Sequence, residues 1–102
     1  MAKGGGTVLD DIEELLNEES PALALLEETL TEGYAKALAL DAERLRLERR
    51  IGAIAREART DSGGELSSLG RRLTVTDGEL AKLRSLLATL NERARTARDR
   101  SV

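Results

Sequence analysis

The sequence contains neither cysteine nor histidine. Without cysteine the chain forms no disulfide bond and offers no thiolate ligand to a metal ion. Histidine is the commonest metal ligand and the commonest general base in enzymes, so its absence removes both of those roles. We therefore predict no catalytic residue, no metal site and no cofactor, and we do not expect the protein to be an enzyme.

Aromatic residues are almost absent, because Tyr34 is accompanied by no phenylalanine and no tryptophan. Most of the large apolar residues are leucine, and alanine supplies much of the remaining apolar content. Since alanine buries little apolar area, the hydrophobic core of a single chain of 102 residues is expected to be small. This composition favours self-association or a protein partner, and we expect a homo-oligomer, most simply a dimer.

Long apolar runs are also missing from the sequence. No stretch approaches the roughly 20 apolar residues that a membrane-spanning helix needs. Residues 1–6 lack the apolar segment of a secretory signal. We predict that residues 1–6 form a flexible N-terminus, that residues 7–102 form a single domain, and that the protein is cytoplasmic with no membrane partner.

Proline occurs only at Pro21. The stretch that follows, as far as Arg59, is dominated by leucine, alanine, glutamate and arginine, which all favour helix. Ser20 and Pro21 stand in the order expected for a helix N-cap and the first helical residue. The sequence therefore predicts a long helix over residues 21–59, about 58 Å from end to end at about 1.5 Å per residue.

A shorter helix is predicted before the long one, over residues 8–19. Thr7 can cap this helix, and Val8, Ile12 and Leu15 recur at three- and four-residue intervals. Such intervals place the three apolar side chains on one face, so this first helix should bury that face against another element.

The chain after the long helix is predicted to be interrupted twice. A glycine-rich turn at residues 60–64 leads into a short helix over residues 65–73. The β-branched residues 74–76 are predicted to be extended. Thr76 then begins a capping-box pattern that opens a last helix over residues 77–99.

The last helix carries leucines at alternating three- and four-residue intervals, which is typical of coiled-coil helices. We predict that it packs antiparallel against one face of the long helix and forms a helical hairpin. The seam of this hairpin is predicted to consist of Leu40, Leu47, Ile51, Ile54, Leu80, Leu83, Leu87 and Leu90.

A second apolar face of the long helix lies almost opposite the first. One packed helix cannot cover both faces, and the last helix is also too short to reach the start of the long one. The fold class predicted is therefore all-α: an antiparallel helical hairpin with an extra short N-terminal helix, assembled into a dimeric helical bundle. The predicted partner or self-association surface consists of Leu23, Leu26, Leu30, Tyr34, Leu38 and Leu45.

Acidic residues concentrate in residues 1–35 and basic residues in residues 36–102, although the formal net charge is only −3. Such an asymmetry marks either two surfaces for different partners or two parts of the chain that pack together. The arginines can contact phosphates, but no aromatic residues alternate with them for base stacking, and many have an acid at helical spacing. We do not expect a nucleic-acid partner.

The heptad layout from Leu15 to Arg59, followed by a broken linker and by Leu80, Leu83 and Leu90, resembles that of FlgN-type flagellar export chaperones. The resemblance rests on periodicity and covers most of the chain. It implies a chaperone-like role toward a secretion or assembly substrate.

A second resemblance involves residues 65–70 and 76–80, which are similar to the second half of RsiG-type anti-sigma factors. Those proteins are helical hairpins that sequester a transcription factor. Ser68 and Arg71 have part of the spacing of the cyclic-dinucleotide motif of that family, but the chain contains no glutamine, so nucleotide binding is not implied.

From these patterns we predict a non-enzymatic helical adaptor or chaperone-like protein that binds an amphipathic helix of a partner protein in a leucine-lined groove. The alternative is an anti-sigma-type transcriptional regulator that sequesters a transcription factor.

Overall fold

The computed structural model describes residues 7–57 and 64–101. These residues form three helices, α1 (Val8–Leu16), α2 (Leu23–Arg56) and α3 (Glu65–Ser101), and contain no strand. The prediction of an all-α protein is confirmed. The flexible N-terminus predicted over residues 1–6 and most of the turn predicted over residues 60–64 lie outside the described residues.

A reciprocal pair of hydrogen bonds begins α1. The backbone N–H of Asp10 donates to the Thr7 hydroxyl oxygen at 3.1 Å, and the backbone N–H of Thr7 donates to Asp10 Oδ2 at 3.4 Å. This capping box satisfies two of the backbone donors that the first turn of a helix leaves without partners. Thr7 therefore caps α1 as its sequence position predicts.

The end of α1 differs from the prediction, because the helix stops at Leu16 and not at residue 19. Arg93 of α3 lies beside this end, and its Nη2 and Nη1 donate to the carbonyl oxygens of Leu16 at 2.9 Å and Glu18 at 3.4 Å. The last carbonyl groups of a helix need such partners. A residue far away in sequence thus provides them at the point where α1 ends.

The start of α2 also differs, since the helix begins at Leu23 and not at residue 21. Ala22, not Ser20, is the N-cap, and its backbone is extended at φ −63° and ψ 137°. Non-helical backbone at this corner lets α1 turn back, so that Ile12 packs in the same core as Leu26. At its other end α2 stops at Arg56, before the predicted residue 59.

The largest correction concerns α3, which is one continuous helix over Glu65–Ser101. The predictions of separate helices over 65–73 and 77–99, of an extended segment at residues 74–76 and of a cap at Thr76 are wrong. Thr76 is buried, and it occupies the position that the three- and four-residue intervals of the neighbouring leucines require. Packing of this face against α2 overrides the local preference of threonine and valine for extended backbone.

The buried residues form two clusters along the molecule. The larger cluster lies where all three helices meet, and the smaller one lies between α2 and α3 alone. The larger contains Ile12, Leu15, Leu26, Leu30, Leu40, Leu80, Leu83, Leu87, Leu90 and Ala94, and the smaller contains Leu47, Ile54 and Leu69.

Gly33 lies at the centre of the three-helix end and is buried. A Cβ atom at this position would collide with Cδ2 of Leu87 and would lie 3.5 Å from Cδ1 of Ile12. The missing side chain therefore allows side chains from both α1 and α3 to approach the backbone of α2 closely.

Ion pairs join α2 to α3 at intervals along both helices. Each involves exposed or half-exposed side chains, so each contributes little to stability by itself, typically about 0–1 kcal/mol. Together they favour one register of the two helices. The pairs are Arg50 with Glu65 at 2.9 Å, Arg72 with Glu43 at 3.1 Å, Arg44 with Asp77 at 3.2 Å, Arg84 with Asp41 at 3.1 Å, and Arg98 with Glu27 at 3.5 Å.

The molecule is elongated, with principal dimensions of 62 × 31 × 15 Å. Its length follows from the two long helices that pack side by side. Within the described helices, none combines the length and the apolar character that crossing a membrane requires.

Candidate protein-binding surface

An apolar line of side chains runs along α2 on the side away from the core. We call the line formed by Tyr34, Leu38, Ala42 and Leu45 the outer stripe. Tyr34 is 50% exposed, Leu38 71% and Leu45 45%, and Ala42 is also exposed. The three- and four-residue intervals between them place all four on one face of the helix, at about 100° per residue.

The outer stripe is exposed because of where the other helices pack. Leu40, Leu47 and Ile54 lie on nearly the opposite face of α2 and are buried. Neither α1 nor α3 can therefore reach Leu38 without leaving the core. Tyr34 and Leu45 are predicted to belong to the same surface as Leu38, and both lie on this exposed face.

The other predicted surface residues are not on an open surface. Leu26 is 1% exposed and Leu30 is 8% exposed, and both belong to the three-helix core. Leu23 is half-buried and packs against the same core. Two helices cover these residues: α1 folds back onto the start of α2, and the end of α3 reaches the same region, where Arg98 pairs with Glu27. The expectation that the last helix is too short to reach the start of the long one is therefore wrong.

The residues predicted to form the hairpin seam lie between the helices. All are buried except Ile51, which is half-buried and packs against the smaller cluster. These side chains form the contact between α2 and α3, and because they are buried a partner protein cannot touch them. The buried members are Leu40, Leu47, Ile54, Leu80, Leu83, Leu87 and Leu90.

Charged residues continue the line of the outer stripe at both ends. Glu27 precedes the stripe, whereas Arg49 and Arg56 follow it, and all three are exposed. Glu27 lies 3.5 Å from Arg98 of the same chain. Arg49 and Arg56 form no ion pair with the other described residues. The stripe is therefore acidic at one end and basic at the other.

Some acidic residues form ion pairs, for example Glu13 with Lys82 and Asp41 with Arg84. Five others line a cleft of about 260 Å³ between α1 and α2, namely Asp11, Glu14, Glu18, Glu28 and Glu32. No cluster of acidic side chains in the described ranges is arranged to hold a metal ion. At Glu43, a 2.6 Å hydrogen bond from Arg46 holds the pKa of the carboxyl below its usual value of 4.5, and Arg72 lowers it further. A carboxylate kept ionised in this way is a poor proton donor at neutral pH.

Two smaller features lie elsewhere on the surface. A cleft of about 500 Å³ between the α1–α2 connection and the end of α3 is lined by residues that include Leu23, Arg93 and Arg100. On α3, Val75 is 67% exposed. Sequence reasoning missed Val75 because it placed residues 74–76 outside any helix. The feature of the sequence that places Val75 on a helix is the three- and four-residue spacing of the leucines, which continues without a break through Thr76.

No protein-family model, curated protein or solved structure matches this chain. The resemblances to FlgN-type chaperones and to RsiG-type anti-sigma factors therefore stay predictions from the sequence.

Proposed function

We propose that this protein is a non-enzymatic helical adaptor or chaperone-like protein whose outer stripe binds an amphipathic helix of a partner protein. The observation that carries the proposal is the 71% exposure of Leu38 in the middle of a continuous apolar line. Contiguous apolar patches on soluble proteins are typical of interaction sites, because leaving them in water is unfavourable.

The shape of the stripe favours a helix as the ligand. Its side chains recur at the intervals of a helix face, and the apolar ridge of a second helix packs between ridges of this spacing. A small molecule would need a concave pocket, whereas the stripe lies on the convex side of a helix. A β-strand ligand would need the edge of a sheet, and the described residues contain no strand.

The support for this surface is, in our proposal, an antiparallel hairpin of α2 and α3. The order of the ion pairs supports that arrangement. Arg50, near the end of α2, lies 2.9 Å from Glu65 at the start of α3. Glu27, near the start of α2, lies 3.5 Å from Arg98 near the end of α3. A hairpin of this kind packs α3 along α2, so the side of α2 away from α3 presents the stripe.

The proposal can be tested with a photo-crosslinking amino acid that replaces Leu38 in the full-length protein inside cells. After irradiation, the captured peptide is identified by mass spectrometry. We expect a segment of another protein that carries apolar residues at i, i+4 and i+7 and is otherwise polar. A sigma factor or RNA polymerase subunit as the captured protein would support the anti-sigma alternative.

The matched control carries the same crosslinker at Val75. This side chain is 67% exposed, close to the 71% of Leu38, but it lies on α3 and away from the stripe. Equal capture at both positions would contradict the proposal, because it would show non-specific contact. Capture of only a second copy of this chain at Leu38 would contradict an adaptor role.

A further inference from the structure

We infer that, when no other partner is bound, the outer stripe is occupied by α2 of a second copy of this chain, with the two helices antiparallel and the two-fold axis between Asp41 and Ala42. The inference rests on the proposed function, since it uses the same stripe as the docking surface. It adds the identity of the resting occupant and its register. An isologous two-fold contact is the commonest way in which one surface covers itself.

The relative direction of the two helices follows from the charges at the ends of the stripe. In the antiparallel register Leu38 lies opposite Leu45 of the second copy, which closes the apolar centre. Tyr34 then lies opposite Arg49, where the guanidinium group can stack on the ring. Glu27 lies opposite Arg56, so the acidic end of each stripe meets the basic end of the other. This contact between opposite charges occurs twice in the dimer and is favourable.

A parallel pair would have the opposite electrostatics. Arg49 would face Arg49, Arg56 would face Arg56, and Glu27 would face Glu27. Like charges at such distances repel, and like-charge contacts suppress wrong pairings at interfaces. The charge pattern of this one helix face therefore discriminates between the two orientations.

Small residues at matching positions allow the helices to approach closely. Ala42 lies less than about 1 Å from the axis along the helix, at about 1.5 Å per residue, and faces its own copy. Gly52 lies opposite Thr31 in the same register, and Gly52 has no neighbour near its missing Cβ other than the Arg56 side chain. Neither α1 nor α3 covers this side of α2, so the second copy meets no obstacle.

Occupation of the stripe by a second copy makes self-association and partner binding mutually exclusive. A partner helix that uses Leu38 has to displace α2 of the other copy. Raising the protein concentration therefore favours the dimer, in which the stripe is covered. A partner of sufficient affinity displaces the second copy and binds the stripe. The dimer is in this sense the closed form of the adaptor.

The register is tested by disulfide formation between single-cysteine variants, which is direct because the chain has no cysteine of its own. Leu38→Cys and Leu45→Cys should form a covalent dimer when mixed under oxidising conditions, and neither should do so alone. Identical residues at these positions are offset by about 10 Å along the axis, at about 1.5 Å per residue. A disulfide requires Cα atoms within about 7 Å.

Ala42→Cys is the positive control, since it lies next to the two-fold axis and should crosslink to itself. Crosslinking of Leu38→Cys and Leu45→Cys each to itself would show a parallel pair and overturn the inference. Sedimentation of the wild-type chain as a monomer at tens of micromolar would also overturn it. A monomer that still captures a partner helix at Leu38 would leave the proposed function standing, so the two failures are distinguishable.

A second set of variants tests the stripe itself. Leu38→Glu with Leu45→Glu should sediment as a monomer with its helical circular dichroism intact, because both side chains are already exposed in the single chain. Val75→Glu should remain dimeric. A double variant that stays dimeric, or a Val75 variant that becomes monomeric, would contradict the assignment. If the double variant does not fold, the cysteine experiment decides the matter by itself.

Discussion

Among single residues, Gly33 sets how closely the three helices approach one another. We expect Gly33→Ala to destabilise the protein by about 1–2 kcal/mol, because overpacking of a tight core usually costs about 1–3 kcal/mol and the gain in helix propensity offsets only part of it. Chemical denaturation measures the change in the free energy of unfolding. Gly78→Ala is the matched control, since nothing lies within 4 Å of a Cβ atom there. That variant should be stabilised by about 0.5–1 kcal/mol.

Leu87 is the other half of the same contact. It is 4% exposed, so Leu87→Ala should reduce the free energy of unfolding by about 2–5 kcal/mol. The atoms that this substitution removes are those that a Cβ atom at Gly33 would strike. The double variant Gly33→Ala with Leu87→Ala should therefore be more stable than the sum of the single effects predicts. Additive effects, or an unchanged melting temperature for Leu87→Ala, would show that the contact is misplaced.

The two residues differ in how far the sequence alone predicts them. Leu87 stands in the middle of a regular leucine repeat, and that repeat places it in a buried seam. Gly33 looks only like a weak point in a long helix, because nothing local shows what approaches it. Its role depends on Leu87, which lies far away in the chain, and on Ile12 of α1.

At the scale of elements, the continuity of α3 is the feature most open to test. Val75→Pro should destabilise the protein by about 3 kcal/mol or more, because proline inside a helix removes a hydrogen bond and clashes with the preceding turn. Val75 is 67% exposed, so lost packing does not account for such an effect. Val75→Ala, which keeps the helix, should stay within about 0.5 kcal/mol of the wild type or be more stable. Equal stability of the proline variant and the alanine variant would indicate an extended segment at residues 74–76.

Local signals and tertiary packing disagree in this part of α3 for a definite reason. Thr74, Val75 and Thr76 are β-branched, and Gly78 adds a turn-forming residue directly after them. These preferences amount to at most about 1 kcal/mol per residue. Burial of a leucine-sized side chain contributes about 1.5–3 kcal/mol, and the helical intervals from Leu69 to Ala94 bury several of them against α2. The summed free energy of burial exceeds the summed local preferences, so this segment is helical.

The whole molecule has a shape that scattering can measure. The Cα radius of gyration is 18.2 Å. A compact globular chain of this size would have a radius of about 13 Å, and an unfolded chain about 30 Å. The variant Leu38→Glu with Leu45→Glu, which we expect to be monomeric, should therefore give a value near 18.2 Å in small-angle X-ray scattering. A value near that of a globule would contradict the packing of α2 and α3 along their length.

The sequence by itself determined the all-α class and the apolar intervals of the leucines, since helix periodicity is a local property that the order of residues records. Only the tertiary structure decided where α1 ends, that α3 runs through Thr76, and that Leu26 and Leu30 are covered while Leu38 is not. Each of these depends on residues distant in sequence, such as Arg93 beside the end of α1. The face of a helix that stays exposed is decided by what packs on the other faces, and that information lies in the contacts between elements.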